Sequence, residues 1–415
     1  MASAAADRIQ SLDLIRGIAV MGIFSVNVVG MAMIESAYFY PPDYGFDGLG
    51  DKVMWALNFI LVDGKFRSMF SMLFGASMLL VIERGVAAGK RDWQVHYPRM
   101  VVLLAFGATH FYLLWWGDIL VNYALVGMIA FAFRRLQTRG LAIGAALALS
   151  AMYLPMLWFG SQQMATYEAK AAPGASAEDR AALDKMLSRL ESTPEELAED
   201  KQAHTTLPAH VRQSTSADTW LRPWQSLPGY GLETLGLMLL GMAGYRSGFL
   251  TGSWSRRRYA IIAASCIGAS LLFFGTSAVL ILRSGFDPFT YFPLDQIWAS
   301  LFHPVAAVGY CAAIILLLAG RRDALTARFA AVGRTAFTNY LGATIFGTLL
   351  FYDHGLGLYG EVSRGQAWLF VPLAWAIMLL WSKPWLDRFR YGPFEWAWRS
   401  LSRWQWEPMR KAQAA

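Results

Sequence analysis

Cysteine and charge are both scarce in this sequence of 415 residues. It contains two cysteines, Cys266 and Cys311, and both lie within apolar runs, which excludes a disulfide framework and a cysteine-based metal site. Charged residues make up 16% of the chain, against 56% apolar residues and a mean hydropathy of +0.35. This balance excludes an ordinary soluble protein. The zinc-protease HExxH motif, the Walker A loop, the GxSxG elbow and the GxGxxG dinucleotide motif are also absent in their expected contexts.

Aromatic residues and long apolar runs, by contrast, are abundant. Aromatic side chains make up 14% of the sequence, including 17 tryptophans, and they cluster at the ends of apolar runs, where an amphipathic ring sits at the headgroup level. Ten runs approach the roughly 20 residues that cross about 30 Å of hydrocarbon. They cover residues 12–34, 66–82, 100–116, 119–133, 141–159, 227–245, 259–282, 297–319, 335–352 and 367–381. A shorter segment, 53–62, is predicted to lie at the interface or to re-enter. The sequence therefore predicts an all-α polytopic membrane bundle of about ten transmembrane helices.

The net charge of +7 follows membrane topology, because Lys and Arg gather in alternate short loops, as they do in retained cytoplasmic loops. The basic loops hold Arg84, Lys90, Arg91, Arg99, Arg134, Arg135, Arg139, Arg246, Arg256, Arg257, Arg258, Arg321, Arg322, Arg328 and Arg334. The intervening short loops hold Lys52, Arg283 and Arg364. This pattern predicts that both termini are cytoplasmic and that the partners are membrane lipids, with no nucleic acid.

Four regions follow from this layout. Residues 1–159 form an N-terminal transmembrane half with an uncleaved first span, and residues 160–226 form an extracytoplasmic helical insertion. Residues 227–382 form a C-terminal transmembrane half, and residues 383–415 form a cytoplasmic tail rich in Trp and Arg. The tail is interpreted as an interfacial segment along the headgroups, with a lid over a cytosolic donor site as the alternative.

The insertion has its own helix signals. Ser176 is predicted to cap one short helix, and Thr193 with Glu196 forms a capping box for a second. We expect this region to be a solvated cap packed on the outer ends of the spans. Its histidines, His204 and His210, are predicted to be exposed to solvent.

An ionisable side chain inside a span is costly unless it is paired or hydrated, which makes Arg16 a candidate site residue. Arg16 and Asn27 are 11 residues apart, about 20° from eclipsed on a helix. This face of the first helix is expected to point into the bundle. Two interpretations stay open, a functional cation and a structural pair of Arg16 with Asp13 and neighbouring carbonyls.

A second polar cluster opens the next span. Lys65 shares a helix face with Met69 and Met72 and is a candidate for pointing inward, whereas snorkelling to the interface is the alternative. For Arg67, snorkelling is the expected arrangement.

The sharpest feature is a tight hairpin between the third and fourth spans. His110 lies near the outer end of one helix, and Asp118 and Asn122 open the next. A carboxylate that fixes the tautomer of a histidine is the arrangement that a general base needs. Asp118 is equally well placed as a helix N-cap. His303 and His354 also map to the outer half, but no ligand spacing supports a metal site.

Several segments resemble the YeiB family of bacterial inner-membrane proteins, a family that ends in a domain of unknown function. They are residues 12–19 (LDLIRGIA) with Asn27, 65–75, 110–120, 333–340 (GRTAFTNY) and 392–399 (GPFEWAWR). The family is more distantly similar to the transmembrane acyltransferases, which include bacterial polysaccharide O-acyltransferases and the lysosomal heparan-glucosaminide N-acetyltransferase. The resemblance implies a bacterial inner-membrane location.

It also implies acyl transfer across the membrane. The O-acyltransferases have Arg, ten residues and then His in the first helix; here Arg16 matches and Asn27 stands at the His position. The glucosaminide acetyltransferase has Asn there and a catalytic His in the following loop, but residues 35–52 contain no His. Acyl transfer would then require that His110 has taken over the base role.

The resulting hypothesis is an acyltransferase that takes acyl-CoA as co-substrate, holds no bound cofactor, and modifies a small-molecule or glycan acceptor on the outer side. Catalysis is assigned to His110 and Asp118, and substrate binding to Arg16, Asn27, Lys65, Asn122, Arg334 and Asn339. The alternatives are a transporter for a small metabolite or lipid, whose pathway these residues would line, and a membrane scaffold.

Overall fold

The structure, a computed structural model, describes residues 9–204 and 206–411. Within these residues it is helical, with short 3₁₀ and π-helical turns and no β-strand, which confirms the all-α prediction. The α-helices are α1 (Gln10–Ala32), α2 (Glu35–Phe39), α3 (Leu49–Leu61), α4 (Lys65–Ala87), α5 (Asp92–Leu113), α6 (Leu120–Ala130), α7 (Thr138–Ala171), α8 (Ala177–Leu187), α9 (Pro194–Ala203), α10 (Leu207–Ser214), α11 (Arg222–Arg246), α12 (Arg256–Arg283), α13 (Pro288–Phe292), α14 (Ala299–Leu318), α15 (Ala324–Arg334), α16 (Ala336–Phe351), α17 (Arg364–Ala367), α18 (Phe370–Arg388) and α19 (Pro393–Arg403).

The helices have the length and composition of membrane helices. Six segments in the described residues are long and apolar enough to cross a bilayer: Gln10–Ala32, Leu49–Ala87, Thr138–Ala171, Arg256–Arg283, Pro288–Leu318 and Arg364–Arg388. Leu120–Phe133 and Ala336–Phe351 are shorter apolar helices. Large apolar side chains such as Leu147, Leu272 and Leu380 are exposed on these helices, as expected where helices face lipid.

The loops gather at two ends of the bundle. At one end Arg134 pairs with Asp92 at 2.6 Å, and Arg246 donates to the Arg134 carbonyl. We call this the basic end, because it collects the arginine-rich loops and the tail. At the other end, the insertion end, Arg222 pairs with Glu35 at 2.8 Å. The grouping of the arginine-rich loops at one end and the insertion at the other agrees with the charge pattern of the sequence.

Small residues allow the central helices to pack closely. Gly17 on α1 lies against the carbonyl of Phe329 on α15, and Gly241 on α11 lies against the carbonyl of Met72 on α4. Any Cβ at these positions would overlap backbone atoms. Close contacts at small residues are typical of packed membrane helices.

The insertion is tied to the bundle more tightly than expected. The N-caps at Ser176 and Thr193 are confirmed, and α7 continues as one helix to Ala171. The prediction that His204 and His210 are exposed is wrong, because both are buried. His204 lies flat against the Tyr359 ring at 4.1 Å, so aromatic contacts with the loop after α16 cover these histidines.

Candidate functional site

A short hairpin between α5 and α6 positions the central residues. α5 ends at Leu113, and the turn is held on α1 because the indole of Trp115 donates to the Gly30 carbonyl at 3.1 Å. Gly107 on α5 lies against the backbone of Val121, so the two helices approach closely. The turn therefore brings the end of α5 beside the start of α6.

His110 and Asp118 meet as the hairpin predicts. Nδ1 of His110 lies 2.9 Å from Oδ1 of Asp118, and both side chains are buried. The second carboxylate oxygen of Asp118 accepts the backbone N–H of Val121 at 2.8 Å. Asp118 thus orients the histidine and caps α6 at the same time, so the two interpretations of this residue are compatible.

Thr344 of α16 completes this arrangement and was not identified from the sequence. Its hydroxyl lies 2.9 Å from Nε2 of His110. One turn away on the same helix, the ring of Tyr340 is buried and lies 5.4 Å from the imidazole. We call Asp118, His110 and Thr344 the histidine array. Its sequence signal is weak, since a threonine in an apolar helix is common.

A cavity of about 340 Å³ extends from the basic end towards this array. Its inner wall includes Leu120, Tyr123 and Tyr340, and Leu120 begins the helix that Asp118 caps. Among the described residues, its lining includes five arginines: Arg16, Arg84, Arg99, Arg334 and Arg399. The lining includes two carboxylates, those of Asp13 and Glu395. Positive charge therefore dominates one end of the cavity, and the histidine array lies behind the other.

Arg16 points into the bundle, as its helix face predicts. Its guanidinium donates to the Ser77 hydroxyl at 2.6 Å and to the Gly333 carbonyl at 3.4 Å, and it lies 3.3 Å from the Asp13 carboxylate. The contacts expected of a structural pair are therefore present, and the same side chain lines the cavity. Arg16 thus combines a packing role with a place in the cavity wall.

The tail closes one side of the cavity. The Glu395 carboxylate accepts the backbone N–H groups of Phe337 and Thr338, at 2.7 and 3.1 Å, at the start of α16. Burial raises the pKa of this carboxyl above its ordinary value, although the hydrogen bonds oppose the change. The Trp398 indole donates to the Arg99 carbonyl at 2.8 Å. The 392–399 motif therefore docks α19 onto α16 and α5 and contributes the cavity residues Glu395, Trp398 and Arg399.

The other predicted binding residues are dispersed. Arg334 lines the cavity, whereas Asn339 donates to the Val332 carbonyl and accepts from Trp381, which makes it a packing residue. Asn122 donates to Thr234 at 2.8 Å, and its amide oxygen is buried without a partner in the described residues.

Asn27 and Lys65 lie outside the cavity lining. Asn27 is half-buried on α1. Lys65 is fully buried, and its ammonium donates to the Phe59 carbonyl at 2.7 Å and lies 3.2 Å from the centre of the Phe274 ring. The inward orientation of Lys65 is confirmed, but the structure places it among α3 and α12 rather than beside His110.

The prediction that Arg67 snorkels to the interface is wrong. It forms an ion pair with Glu233 of α11 at 2.9 Å, and Tyr153 donates to the same carboxylate at 3.1 Å. The buried carboxylate supplies a partner that the local sequence could not reveal.

The outer histidines occupy separate places. His303 stacks on Phe274, near Lys65, and His354 lies beside Tyr352. No group of three or more His, Cys, Asp or Glu side chains in residues 9–204 and 206–411 is arranged to hold a metal ion.

These features define a class of protein: an all-helical bundle of membrane-like helices with a buried histidine–carboxylate pair behind an arginine-lined cavity. A family model described as "Protein of unknown function (DUF418)" matches residues 244–405. Similar relatives are the uncharacterized protein YxaH of Bacillus subtilis, 30% identical over 98% of this chain and 96% of its own, and the uncharacterized protein YeiB of Escherichia coli, 30% identical over 95% and 96%. The chain belongs to the YeiB (DUF418) family.

Proposed function

We propose that this protein is a membrane acyltransferase that takes an acyl-CoA at the basic end and transfers the acyl group to an acceptor reached from the insertion end. One observation carries the proposal: a single cavity joins an arginine cluster to the residues that border His110. A polyanionic head and a thin thioester arm are the two parts of acyl-CoA that such a cavity would accept.

The charge of the cavity suits an anionic donor. Guanidinium groups bind phosphate through paired, charge-assisted hydrogen bonds, and five arginines face two carboxylates in the described lining. A volume of about 340 Å³ is at the lower end of small-molecule sites. It would hold the thioester arm while the nucleotide stays at the basic opening.

The histidine array suits the chemistry. Asp118 holds His110 in one orientation, so that Nε2 can take a proton from an attacking hydroxyl or amine. The surrounding side chains, among them Tyr340 and Trp115, exclude water and limit hydrolysis of the thioester. The acceptor would be a small molecule or a glycan.

The proposed topology rests on the apolar helices and on the position of the basic loops. Adding α5, α6, α11 and α16 to the six long apolar segments gives ten crossings, with the basic end cytoplasmic because basic loops are retained there. Both termini would then be cytoplasmic, and the insertion would lie outside a bacterial inner membrane.

The test uses the full-length protein in nanodiscs with acetyl-CoA and palmitoyl-CoA. Binding is measured by calorimetry, and the release of CoA is measured with a thiol reagent. Both measurements compare the wild type, Arg16→Ala and His110→Ala. We expect Arg16→Ala to weaken binding about tenfold, as for one charged hydrogen-bonding group. We expect His110→Ala to lower turnover about 10²-fold or more with little change in binding.

The matched control is Arg257→Ala, which removes an exposed arginine at the basic end. It should bind both probes like the wild type. If the wild type neither binds nor cleaves either probe, the proposal fails. Saturable binding without cleavage would favour the alternative, a transporter.

A further inference from the structure

The hydroxyl of Thr344 forms its hydrogen bond with a histidine across a helix interface. Buried Ser and Thr hydroxyls in helices commonly donate to a carbonyl three or four residues earlier. Ser68, Ser71 and Thr348 do so here, with Thr348 donating to the Ile345 carbonyl at 3.1 Å. The described hydrogen bond of Thr344 goes instead to His110 across the helix interface, at 2.9 Å.

The direction of the hydrogen bonds follows from the partners. A carboxylate accepts hydrogen bonds, so the 2.9 Å contact with Asp118 places the proton of a neutral His110 on Nδ1. Nε2 then carries the lone pair and accepts from the Thr344 hydroxyl. Carboxylate, imidazole and hydroxyl therefore stand in the order that activates a nucleophile in serine hydrolases.

We propose that Thr344 is the nucleophile and carries the acyl group as a threonyl ester between two half-reactions. This inference rests on the proposed acyl transfer and adds a covalent intermediate to it. It gives a physical reason for a reactive group in the middle of the bundle, where a donor and an acceptor from opposite ends could reach it in turn.

The two steps balance. In the first, Nε2 of His110 takes the proton of Thr344, Oγ1 attacks the thioester carbonyl carbon, the C–S bond breaks, and the CoA thiolate leaves with the proton that His110 returns. In the second, an acceptor hydroxyl or amine gives its proton to His110 and attacks the ester carbonyl. The bond to Thr344 Oγ1 breaks, and that oxygen takes the proton back.

The position of Thr344 on α16 suits this role. Tyr340, one turn towards the basic end, lines the cavity, so a thioester placed beside Tyr340 would be about one helical turn, about 6 Å along the axis, from Thr344. Tyr352, two turns the other way, is in ring contact with His204 and His210 of the insertion. Movement of the Tyr340 side chain, whose ring lies 5.4 Å from the His110 imidazole, would connect the cavity with Thr344.

The experiment looks for the ester directly. Full-length protein in nanodiscs is mixed with acetyl-CoA or palmitoyl-CoA without an acceptor, quenched in acid within seconds, and digested for peptide mass spectrometry. Free CoA is measured in the same samples. The variants are Thr344→Val, which keeps the shape and removes the hydroxyl, Thr344→Ser, which keeps a hydroxyl, and Thr348→Val as the control on the same helix.

We expect a burst of CoA and one acyl group on residue 344 in the wild type, Thr344→Ser and Thr348→Val. Thr344→Val should carry no acyl group there and release CoA about 10²-fold more slowly. Wild-type release of CoA with residue 344 unmodified, or release by Thr344→Val near the wild-type rate, overturns the intermediate while acyl transfer stands. Slow release of CoA by Thr344→Val, together with no acyl group on residue 344 of the wild type, would make Thr344 a positioning residue and would also overturn the covalent intermediate. No release from the wild type with either probe sinks both proposals.

Discussion

The cavity and the histidine array are neighbours, yet their charges are arranged in opposite ways. The cavity gathers five arginines against two carboxylates in the described residues and opens towards the basic end. The array is internally matched: each nitrogen of His110 has a partner at 2.9 Å, and the Asp118 carboxylate also caps a helix. One region carries surplus charge that an anionic ligand can neutralise, whereas the other is held rigid by its own hydrogen bonds.

In the proposed acyl transfer, this difference would separate donor binding from chemistry. Surplus positive charge raises affinity for anions but does not by itself lower a reaction barrier, because ground and transition states are bound alike. A preorganised histidine lowers the barrier and contributes little to affinity. Changes in the cavity should therefore alter Kd, and changes in the array should alter turnover.

The largest effect is expected from Asp118→Asn. The asparagine can keep the helix cap through its amide oxygen, but it no longer requires the proton of His110 to sit on Nδ1. Turnover of acyl-CoA should fall by about 10³-fold, within the range for loss of general-base function, while calorimetric Kd stays within about twofold. A large loss of binding with little loss of turnover would reverse the assigned roles.

His210 tests the comparison from the other side. It is a buried histidine that faces other rings, whereas His110 faces the carboxylate of Asp118. His204, Tyr352 and, at longer range, His354 and His110 surround it. Burial lowers its pKa from 6.5 to about 4, although a hydrogen bond with the Phe111 backbone opposes the change. The unfolded chain binds a proton below about pH 6.5 and the folded chain does so only near pH 4. Stability is therefore present above pH 6.5 and is lost as pH falls towards 4, by about 3 kcal/mol at most.

Thermal unfolding followed by tryptophan fluorescence between pH 7.5 and 4.5 measures this loss. His210→Gln should flatten the acid side of the curve relative to the wild type, because the titrating group is gone. His354→Gln is the control at the same end. Identical curves for the wild type and His210→Gln would show that His210 is protonated as readily in the folded protein as in the unfolded chain.

Sequence reasoning found those features that local spacing determines. The pair of His110 and Asp118 was predicted because a turn of few residues forces adjacent helices together, and the caps at Ser176 and Thr193 are local signals. Thr344 and Glu233 were missed because their partners lie far away in the chain, at His110 and Arg67. Hydropathy shows that helices exist but does not show which helices are neighbours, so long-range polar pairs are not readable from a single sequence.

Arg334→Ala tests the cavity half of the comparison. The sequence predicts Arg334 as a substrate-binding residue, and the structure places it in the cavity lining. Loss of one guanidinium from the proposed donor-binding wall should weaken acyl-CoA binding about tenfold, with turnover at saturation unchanged. Raising the salt concentration should reduce the difference between the wild type and the variant, because screening weakens the attraction that the arginine supplies. Arg257→Ala, exposed at the same end, should show neither effect. Equal Kd values for both variants would remove Arg334 from the donor site.

The smallest expected effect is at Glu395, one of the two carboxylates in the described cavity wall. Glu395→Gln keeps an oxygen that can accept the Phe337 N–H, so the loss of stability should be about 1 kcal/mol, as for a weakened helix cap. Because burial raises the pKa of Glu395, the wild type should lose stability as pH rises from the ordinary glutamate value through the raised one, and the glutamine variant should lack this slope.

Removal of the negative charge should also tighten acyl-CoA binding, by less than the tenfold weakening of Arg334→Ala, since the carboxylate is engaged by α16. Thermal unfolding at different pH values measures the stability, and calorimetry of the same samples measures acyl-CoA binding. Weaker binding in the variant would mean that Glu395 holds α19 in place for the ligand and does not oppose the charge of the ligand.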